Sequence, residues 1–353
     1  MTITKEEAVG NTANAVPLLQ VRNLKKYFAV KGGSFSQKAV GVKAVDDVSL
    51  EIGQGETLGL VGETGCGKTT VGRCIVRLYK PLAGQILYRH DSDEGNASVI
   101  DLASMSEREL RPHRRDIQMI FQDPYSSLDP RQTVFDTISE PIAAHRIASG
   151  RELEDRVIHL MQVVGLETRY LHRYPHAFSG GQRQRIGIAR ALATSPKLVV
   201  ADEPVSALDV SIQAQVLNLL RELQDRLGLS FLFIAHDLSV VNYVSHRVAV
   251  MYAGRLVEVA PTEELYTQPL HPYTQALLSS VPISDPDSER KRIHLTGEVP
   301  NPVNLPPGCL FHPRCRYADD KCRRDPPPEL MELQPGHCVA CHYAAELELR
   351  GVT

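Results

Sequence analysis

A glycine-rich stretch that ends in lysine and threonine is the first feature of this sequence that indicates a chemical function. Residues 62–69 read Gly-Glu-Thr-Gly-Cys-Gly-Lys-Thr and fit the pattern G-x-x-x-x-G-K-S/T. The glycines let consecutive backbone N–H groups point at phosphate oxygens. Lys68 adds a positive charge for the terminal phosphates, and the Thr69 hydroxyl can bind Mg²⁺. A glycine-rich turn without a ligand is the alternative, which the apolar run 57–61 directly before the motif disfavours.

The carboxylate that such a loop needs follows another apolar run. Residues 198–201 are Leu-Val-Val-Ala, and Asp202-Glu203-Pro204 come next. We expect Asp202 to serve the Mg²⁺ ion. Glu203, the next residue, points to the opposite side of the strand and is the candidate base that polarises a water for attack on the terminal phosphate. Taken alone, Asp-Glu-Pro could also be a simple turn.

A second anion-binding helix start is predicted at residues 178–183, Phe-Ser-Gly-Gly-Gln-Arg. Ser179 can cap a helix, while Gly180 and Gly181 expose backbone N–H groups. One nucleotide cannot easily fill two such sites within a monomer. We therefore expect this site to face a nucleotide that another subunit holds.

The elements that must position these residues alternate between strands and helices. The runs 57–61, 197–201 and 231–235 are almost continuously apolar, as is typical of buried parallel strands. Polar residues follow each run, which places them at the carboxyl ends of strands, where open α/β sheets bind ligands. Apolar residues at helical spacing within 152–164 predict an inserted helical subdomain.

Length and composition predict a large globular core with an appendage. The chain has 353 residues, 42% of them apolar and 23% charged, which is more than one ordinary domain needs. The sequence has no run of about 18 apolar residues that would predict a membrane span, and we expect the polar residues 1–17 to be a loose leader. A formal net charge of −3 gives no reason to expect nucleic acid as a partner.

In this order and spacing, the motifs resemble those of the ATP-binding subunits of ABC transporters. The resemblance covers residues 18–260 and implies an α/β P-loop NTPase fold with a mostly parallel sheet core. It also implies an antiparallel β subdomain and a helical subdomain at about 123–180. Residues 206–209, Ser-Ala-Leu-Asp, match the family's D-loop.

The resemblance also implies individual roles for residues. Glu203, His236 and Gln122 take the catalytic positions, and Thr69, Gln122 and Asp202 take the Mg²⁺ positions. Tyr27 stands where an aromatic residue stacks on adenine, with Phe28 as the alternative. The residues implied to contact ATP are Tyr27, Gly62, Glu63, Thr64, Gly65, Cys66, Gly67, Lys68, Thr69, Thr70, Gln122, Asp202, Ser179, Gly180, Gly181 and Gln182.

Residues 261–353 combine many prolines with five of the seven cysteines. We expect a small, loop-rich C-terminal extension that something other than a large core organises. In a reducing compartment, clustered cysteines indicate a metal more readily than disulfides.

The extension resembles the C-terminal region of dipeptide and oligopeptide permease ATP-binding subunits. The likeness rests on His-Pro-Tyr at 271–273 and on the cysteine-bearing residues 306–342. It implies a [4Fe–4S] cluster, and zinc and unligated or oxidised thiols are the alternatives. The cysteine spacing departs from that of paired zinc ribbons, which weakens the case for zinc without excluding it. Cys338 forms a C-x-x-C with Cys341, which leaves the fourth ligand open. The cysteines that match the subfamily pattern are Cys309, Cys315, Cys322 and Cys341.

The function implied is that of an ATPase subunit that powers peptide import. ATP would lie between Lys68 of one subunit and Ser179 of a second, usually different, ATPase. Two membrane permeases and an extracytoplasmic substrate-binding protein would complete the system, with this chain peripheral on the cytoplasmic face of the inner (plasma) membrane. Nickel, opine, glutathione or sugar import stays open. A soluble ABC ATPase of translation or DNA repair is disfavoured by the single cassette and the lack of a coiled-coil pattern.

Overall fold

Two β-sheets and the helices packed on them organise the described part of the chain. The computed structural model describes residues 16–30, 40–91, 97–123, 125, 127–281, 292–324 and 326–352, so most of the expected leader lies outside it. The strands are β1 Leu19–Val30, β2 Val40–Ile52, β3 Thr57–Val61, β4 Ala83–Asp91, β5 Ala97–Asp101, β6 Ile117–Ile120, β7 Leu198–Asp202, β8 Ser230–Ile234, β9 Arg247–Tyr252, β10 Arg255–Pro261, β11 Met331–Gln334 and β12 His337–Val339.

The helices follow the strands along the chain. They are α1 Lys68–Ile75, α2 Glu107–Leu110, α3 Val134–Ala144, α4 Gly150–Val163, α5 Gly180–Leu192, α6 Val210–Leu227, α7 Leu238–Val244, α8 Thr262–Thr267 and α9 Pro272–Leu278. Within the described ranges, no helix has both the length and the apolar character that crossing a membrane requires.

The larger sheet has the strand order β11-β12-β10-β9-β3-β8-β7-β6. Neighbouring strands from β9 to β6 run parallel, and β10, β12 and β11 add antiparallel pairs at one side. The three predicted apolar runs are β3, β7 and β8, and every residue of these strands is buried. These parallel pairings confirm the expected mostly parallel core.

The smaller sheet is antiparallel, with the order β2-β1-β4-β5. Its apolar residues, among them Val21, Leu50 and Ile86, are buried in one core together with residues of β3 and α1. This packing confirms the expected antiparallel β subdomain and places β2 beside the turn that follows β3.

Helices α3, α4 and α5 lie between β6 and β7 in the chain and pack on one another. Residues 152–164, predicted as helical, correspond to α4 and its end, and the side chains of Val157, Met161 and Val164 are buried. A capping box between Thr133 and Asp136 starts α3. The boundaries 123–180 for this subdomain stay a prediction.

The extension is organised differently from the expectation. Its strand β12 pairs with β10, so the extension lengthens the main sheet. Phe311 is 2% exposed and belongs to the same buried core as Val250 and Leu278. The expectation that something other than a large core organises the extension is therefore wrong for these residues. A few apolar side chains, isolated in the sequence, enter a core that other segments already form.

Candidate functional site

The turn between β3 and α1 has the shape of a phosphate-binding loop. Gly62 and Gly67 have φ angles of 152° and 109°, a range that side chains disfavour. A Cβ atom on Gly62 would lie 2.1 Å from the carbonyl oxygen of Met251, and one on Gly67 would lie 2.1 Å from that of Ala44. Both positions therefore require glycine, because neighbouring backbone leaves no room for a side chain.

Lys68 directs its charge into this loop. Its Nζ atom donates to the carbonyl oxygens of Gly62 at 2.8 Å and Glu63 at 3.1 Å, and the residue is 4% exposed. Cys66 is also buried, and burial raises the pKa of its thiol. The thiol therefore stays neutral, which agrees with its predicted role as a small residue that supplies a backbone N–H.

Thr69 and Asp202 meet at the carboxyl ends of β3 and β7. The Thr69 hydroxyl donates to Oδ1 of Asp202 at 2.8 Å. Asp202 is fully buried, and its Oδ2 atom has no hydrogen-bond partner among the described residues. Burial raises the pKa of Asp202. A buried carboxylate oxygen without a donor suits a bound cation, so these residues fit Mg²⁺.

Glu203 is contacted by two other predicted catalytic residues. The amide nitrogen of Gln122 donates to Oε2 of Glu203 at 2.9 Å, and Nδ1 of His236 lies 3.2 Å from the same oxygen. The backbone N–H of Glu203 donates to Ile234 at the end of β8. The structure thus brings together three residues that are far apart in the sequence, and the amide oxygen of Gln122 is not used in this contact.

Tyr27 and Phe28 on β1 face different neighbours. The Tyr27 hydroxyl donates to Oδ1 of Asp46 at 2.5 Å, and Nζ of Lys43 lies 5.9 Å from the ring centre. Burial and the bond to Asp46 raise the pKa of Tyr27 to about 12. Phe28 packs edge-on against Tyr79 at 5.4 Å. Both residues pair with β2 in the sheet, but only the Tyr27 side chain is shown in contact with side chains of β2, the strand that contacts the phosphate-binding loop.

The predicted second anion site lies at the start of α5. The backbone N–H of Ser179 donates to Oε1 of Gln182, and the N–H of Gln182 donates to the Ser179 hydroxyl at 3.4 Å, which forms a capping box. Ser179 is exposed. Residues 206, 207 and 209 of the predicted D-loop are exposed as well, and Val210 directly after them is 81% exposed. These residues are therefore available to a partner.

The sequence alone did not identify two residues of the extension that contact the phosphate-binding loop. The guanidinium of Arg314 donates to both carboxylate oxygens of Glu63, at 2.7 and 3.0 Å. The Tyr273 hydroxyl accepts from the backbone N–H of Glu63 at 2.9 Å. Sequence separations of 251 and 210 residues hide these contacts. The one available signal was that both residues lie in the segments that resemble the permease extension.

Four cysteines of the extension come together. Burial raises the pKa of Cys309 to about 11 and that of Cys341 to about 12, and the charges of the neighbouring thiols, including Cys315 and Cys322, add to both shifts. Cys338 packs instead against the core that contains β1 and β2. All seven cysteines are free thiols.

Another group of possible metal ligands lies elsewhere. Among the residues that the structure describes, His90, His113 and Asp116 form the one group of three such side chains whose ligand atoms all lie within 4.8 Å of one another. Asp116 precedes β6, at the edge of the sheet opposite the phosphate-binding loop. No three of the four cysteines have all their sulfur atoms within that distance.

Known protein families match two parts of the chain. Residues 45–206 match the model described as ABC transporter, and residues 257–322 match the one described as oligopeptide/dipeptide transporter, C-terminal region. Together the two matches include the phosphate-binding loop, the start of α5, and three of the four clustered cysteines.

Curated and solved relatives agree with these matches. AppF of Bacillus subtilis (strain 168), an oligopeptide transport ATP-binding protein, is 53% identical over 94% of this chain and 98% of its own length. The probable peptide ABC transporter ATP-binding protein y4tS of Sinorhizobium fredii (strain NBRC 101917 / NGR234) is 49% identical over 93% and 90%. A dimeric structure of the ATP-binding cassette MJ0796 in a post-hydrolysis state, bound to ADP and Pi, has a TM-score of 0.59 at 28% identity and covers 69% of this chain and 98% of that chain.

The site geometry and these similarities lead to one conclusion. The phosphate-binding loop, the cation-side carboxylate and the capped helix start all occur in a chain that aligns with curated relatives over nearly its full length. This chain belongs to the ATP-binding subunits of ABC transporters, in the branch that carries the oligopeptide/dipeptide transporter C-terminal region.

Proposed function

We propose that this chain hydrolyses ATP to energise the import of dipeptides or oligopeptides. The observation that carries the proposal is the convergence of Lys68, Asp202 and Glu203 at one edge of the parallel sheet. This arrangement supplies a phosphate-binding cation, a Mg²⁺ ligand and a base for a water. The cargo class follows from the relatives, whose names state oligopeptide or peptide transport.

Each residue at the site has a definite task in this proposal. Lys68 and the backbone N–H groups of residues 62–70 hold the phosphates, and Tyr27 stacks on adenine. Thr69, Gln122 and Asp202 hold Mg²⁺, which neutralises charge on the phosphates. Glu203 orients and deprotonates the attacking water, since its carboxylate can accept a proton in line with the terminal phosphate. His236 stabilises the charge that develops on that phosphate.

A second ATPase subunit completes the site. The N–H groups at the start of α5, with Ser179, Gly180, Gly181 and Gln182, would bind the phosphates of an ATP held by Lys68 of the partner. The exposure of Ser179 and Val210 supports such an interface, as does the dimeric form of MJ0796. We propose a heterodimer with a related ATPase, whose closure moves the helical subdomains at about residues 123–180.

The remaining partners follow from the same role. Two permease subunits in the membrane would contact the surface near residues 122–140, and an external substrate-binding protein would deliver peptide. The chain would then lie peripherally on the cytoplasmic face of the inner (plasma) membrane. Residues 18–260 would form the ATPase domain and residues 261–353 the extension.

The four clustered cysteines suit a [4Fe–4S] cluster. Cys309, Cys315, Cys322 and Cys341 are free and partly or fully buried, and each of the first three adds to the upward pKa shift of Cys341. A bound cation would stabilise thiolates that burial otherwise disfavours. Tetrahedral zinc holds its sulfur ligands about 3.8 Å apart. No three of these sulfur atoms all lie within 4.8 Å of one another, so we favour the larger cluster. A cluster ligated by four thiolates would tie the segments of the extension together.

Uptake in cells tests the proposed function. A Lys68→Ala replacement should reduce uptake of labelled dipeptides and oligopeptides to background, because the variant binds ATP poorly. Arg226→Gln changes an exposed ion pair on α6 and should leave uptake intact. If nickel, glutathione, opine or sugar uptake falls while peptide uptake persists, the cargo is misassigned. Unchanged uptake of every solute would contradict a role in import.

A further inference from the structure

Glu63, inside the phosphate-binding loop, is held by the C-terminal extension through two of its three polar groups. Its carboxylate accepts both nitrogens of the Arg314 guanidinium, and its N–H donates to the Tyr273 hydroxyl. Its third polar group, the carbonyl, accepts from Nζ of Lys68 at 3.1 Å. A single residue, Glu63, therefore links the extension to the lysine predicted to bind phosphate.

The ion pair between Arg314 and Glu63 is shielded from water. The side chain of Arg314 is 7% exposed and that of Glu63 is 25% exposed. A bidentate pair in such a setting has a fixed geometry. Removing one partner leaves a charge buried without compensation, which perturbs the structure more than breaking an exposed pair does.

Both residues of the extension are rigidly placed. The Tyr273 ring is fully buried, with its centre 4.7 Å from that of Tyr252 and 5.4 Å from that of Phe311. Phe311 lies three residues before Arg314, and Cys315 directly follows Arg314. The position of the guanidinium therefore depends on how the cysteine-bearing segment is folded.

We propose that Arg314 and Tyr273 are positioning residues for ATP binding. They fix the backbone of Glu63, so that its carbonyl orients Lys68 and the neighbouring N–H groups point into the loop. Nucleotide affinity then depends on an ordered extension, and any event that releases the segment around Cys315 weakens ATP binding. This inference rests on ATP binding by the family and does not depend on the cargo.

The affinity of the full chain for Mg-ATP, measured by equilibrium titration, tests the proposal. We expect Arg314→Gln to weaken binding about tenfold, within the range usual for coupled sites, and Tyr273→Phe to weaken it by a smaller factor. Arg226→Gln, the same substitution in an exposed pair, should leave affinity unchanged. Thermal unfolding, recorded in parallel, confirms that the compared proteins are folded. Unchanged affinity in Arg314→Gln and Tyr273→Phe overturns the proposal.

A double-variant cycle separates positioning from general structural support. If Arg314 acts through Glu63, then Arg314→Gln adds little to the effect of Glu63→Gln when the two are combined. If it weakens binding equally in both backgrounds, the proposed route through Glu63 is wrong. Should Arg314→Gln fail to fold, Tyr273→Phe decides, because it removes only a hydroxyl from a packed ring. Normal affinity in that folded variant then overturns the inference.

Discussion

Glu203 has a backbone conformation that few residues other than glycine adopt. Its φ angle is 46°, which costs about 1–3 kcal/mol and is tolerated where surrounding structure fixes it. The bond from its N–H to Ile234 and the contacts of Oε2 with Gln122 and His236 provide that fixation. These contacts therefore hold in place the carboxylate that we propose as the base.

Replacing Glu203 by glutamine should separate ATP binding from hydrolysis. The amide keeps the shape of the side chain but cannot take a proton from water, so we expect hydrolysis to fall by about two to four orders of magnitude. ATP affinity should persist and the closed dimer should accumulate. Steady-state phosphate release and size-exclusion chromatography with ATP measure the two effects. Glu222→Gln on α6 is the control, and undiminished turnover in Glu203→Gln would show that another group is the base.

At the scale of elements, the start of α5 combines two functions in one serine. The Ser179 hydroxyl caps the helix through the N–H of Gln182, and the same exposed end is proposed to bind the partner's nucleotide. The capping box at the start of α2, formed by Ser106 and Glu109, has the same chemistry and lies outside the proposed nucleotide site. Comparing Ser179 with Ser106 therefore separates the effect of helix capping from that of ligand binding.

Ser179→Ala and Ser106→Ala should both lower the unfolding free energy, by about 1 kcal/mol each. Only Ser179→Ala should also weaken ATP-dependent association with the partner ATPase, because only that helix start is proposed to face nucleotide. Denaturant unfolding and sedimentation of the mixed subunits measure the two quantities. Equal association in the two variants would remove the proposed nucleotide contact of Ser179.

His271 caps α9 and should make the stability of the fold depend on pH. Its Nδ1 atom accepts the N–H of Tyr273 and so caps the helix, and its backbone N–H donates to the buried carboxylate of Glu258. Complete burial lowers the pKa of His271 from 6.5 to about 3. The imidazole therefore stays neutral in the folded chain at pH values where the unfolded chain is protonated.

Stability should accordingly fall as the pH decreases from 6.5 toward 3, by up to about 1.4 kcal/mol per pH unit from this group. His271→Asn preserves a capping oxygen, so we expect lower stability overall but a flatter dependence on acid. His159→Asn, at an exposed position on α4, should retain the slope of the unmodified chain. Denaturant unfolding at pH 7.5, 6.5 and 5.5 measures the slopes. An identical slope in His271→Asn would assign the acid sensitivity to other groups.

At the scale of the whole molecule, the extension is a continuation of the ATPase core. Pairing of β12 with β10 separates two nearby cysteines, since Cys338 lies within the strand and Cys341 lies beyond its end. Cys338 packs toward the core that contains β1, whereas Cys341, after the strand, lies among the other three cysteines. We therefore propose that Cys338 does not join Cys341 as a metal ligand.

The iron–sulfur content of the protein should depend on Cys341 and not on Cys338. Protein purified without oxygen should contain about four iron and four sulfide ions per chain. Cys338→Ser should retain them and Cys341→Ser should lose them, because only Cys341 lies among the other three cysteines. Chemical analysis and the visible absorption of the cluster provide the measurements. Stoichiometric zinc without sulfide would contradict the [4Fe–4S] proposal.

The sequence by itself determined the catalytic edge of the molecule. Local patterns fixed the phosphate-binding loop, the carboxylates after 198–201 and the serine at the start of α5, because these motifs depend on residues adjacent in the chain. The three runs could be predicted as parallel strands because each is almost continuously apolar, as strands buried on both faces are. The site residues Lys68, Asp202 and Glu203 could therefore be predicted without coordinates.

Only the tertiary structure decided how distant segments meet. The contacts of Arg314 and Tyr273 with Glu63 join residues more than 200 positions apart, and no local pattern encodes such a contact. The pairing of β12 with β10 depends likewise on an edge that becomes available only after the sheet has formed. Local motifs specify chemistry through adjacent residues, whereas support from the extension arises from packing, which depends on the whole folded chain.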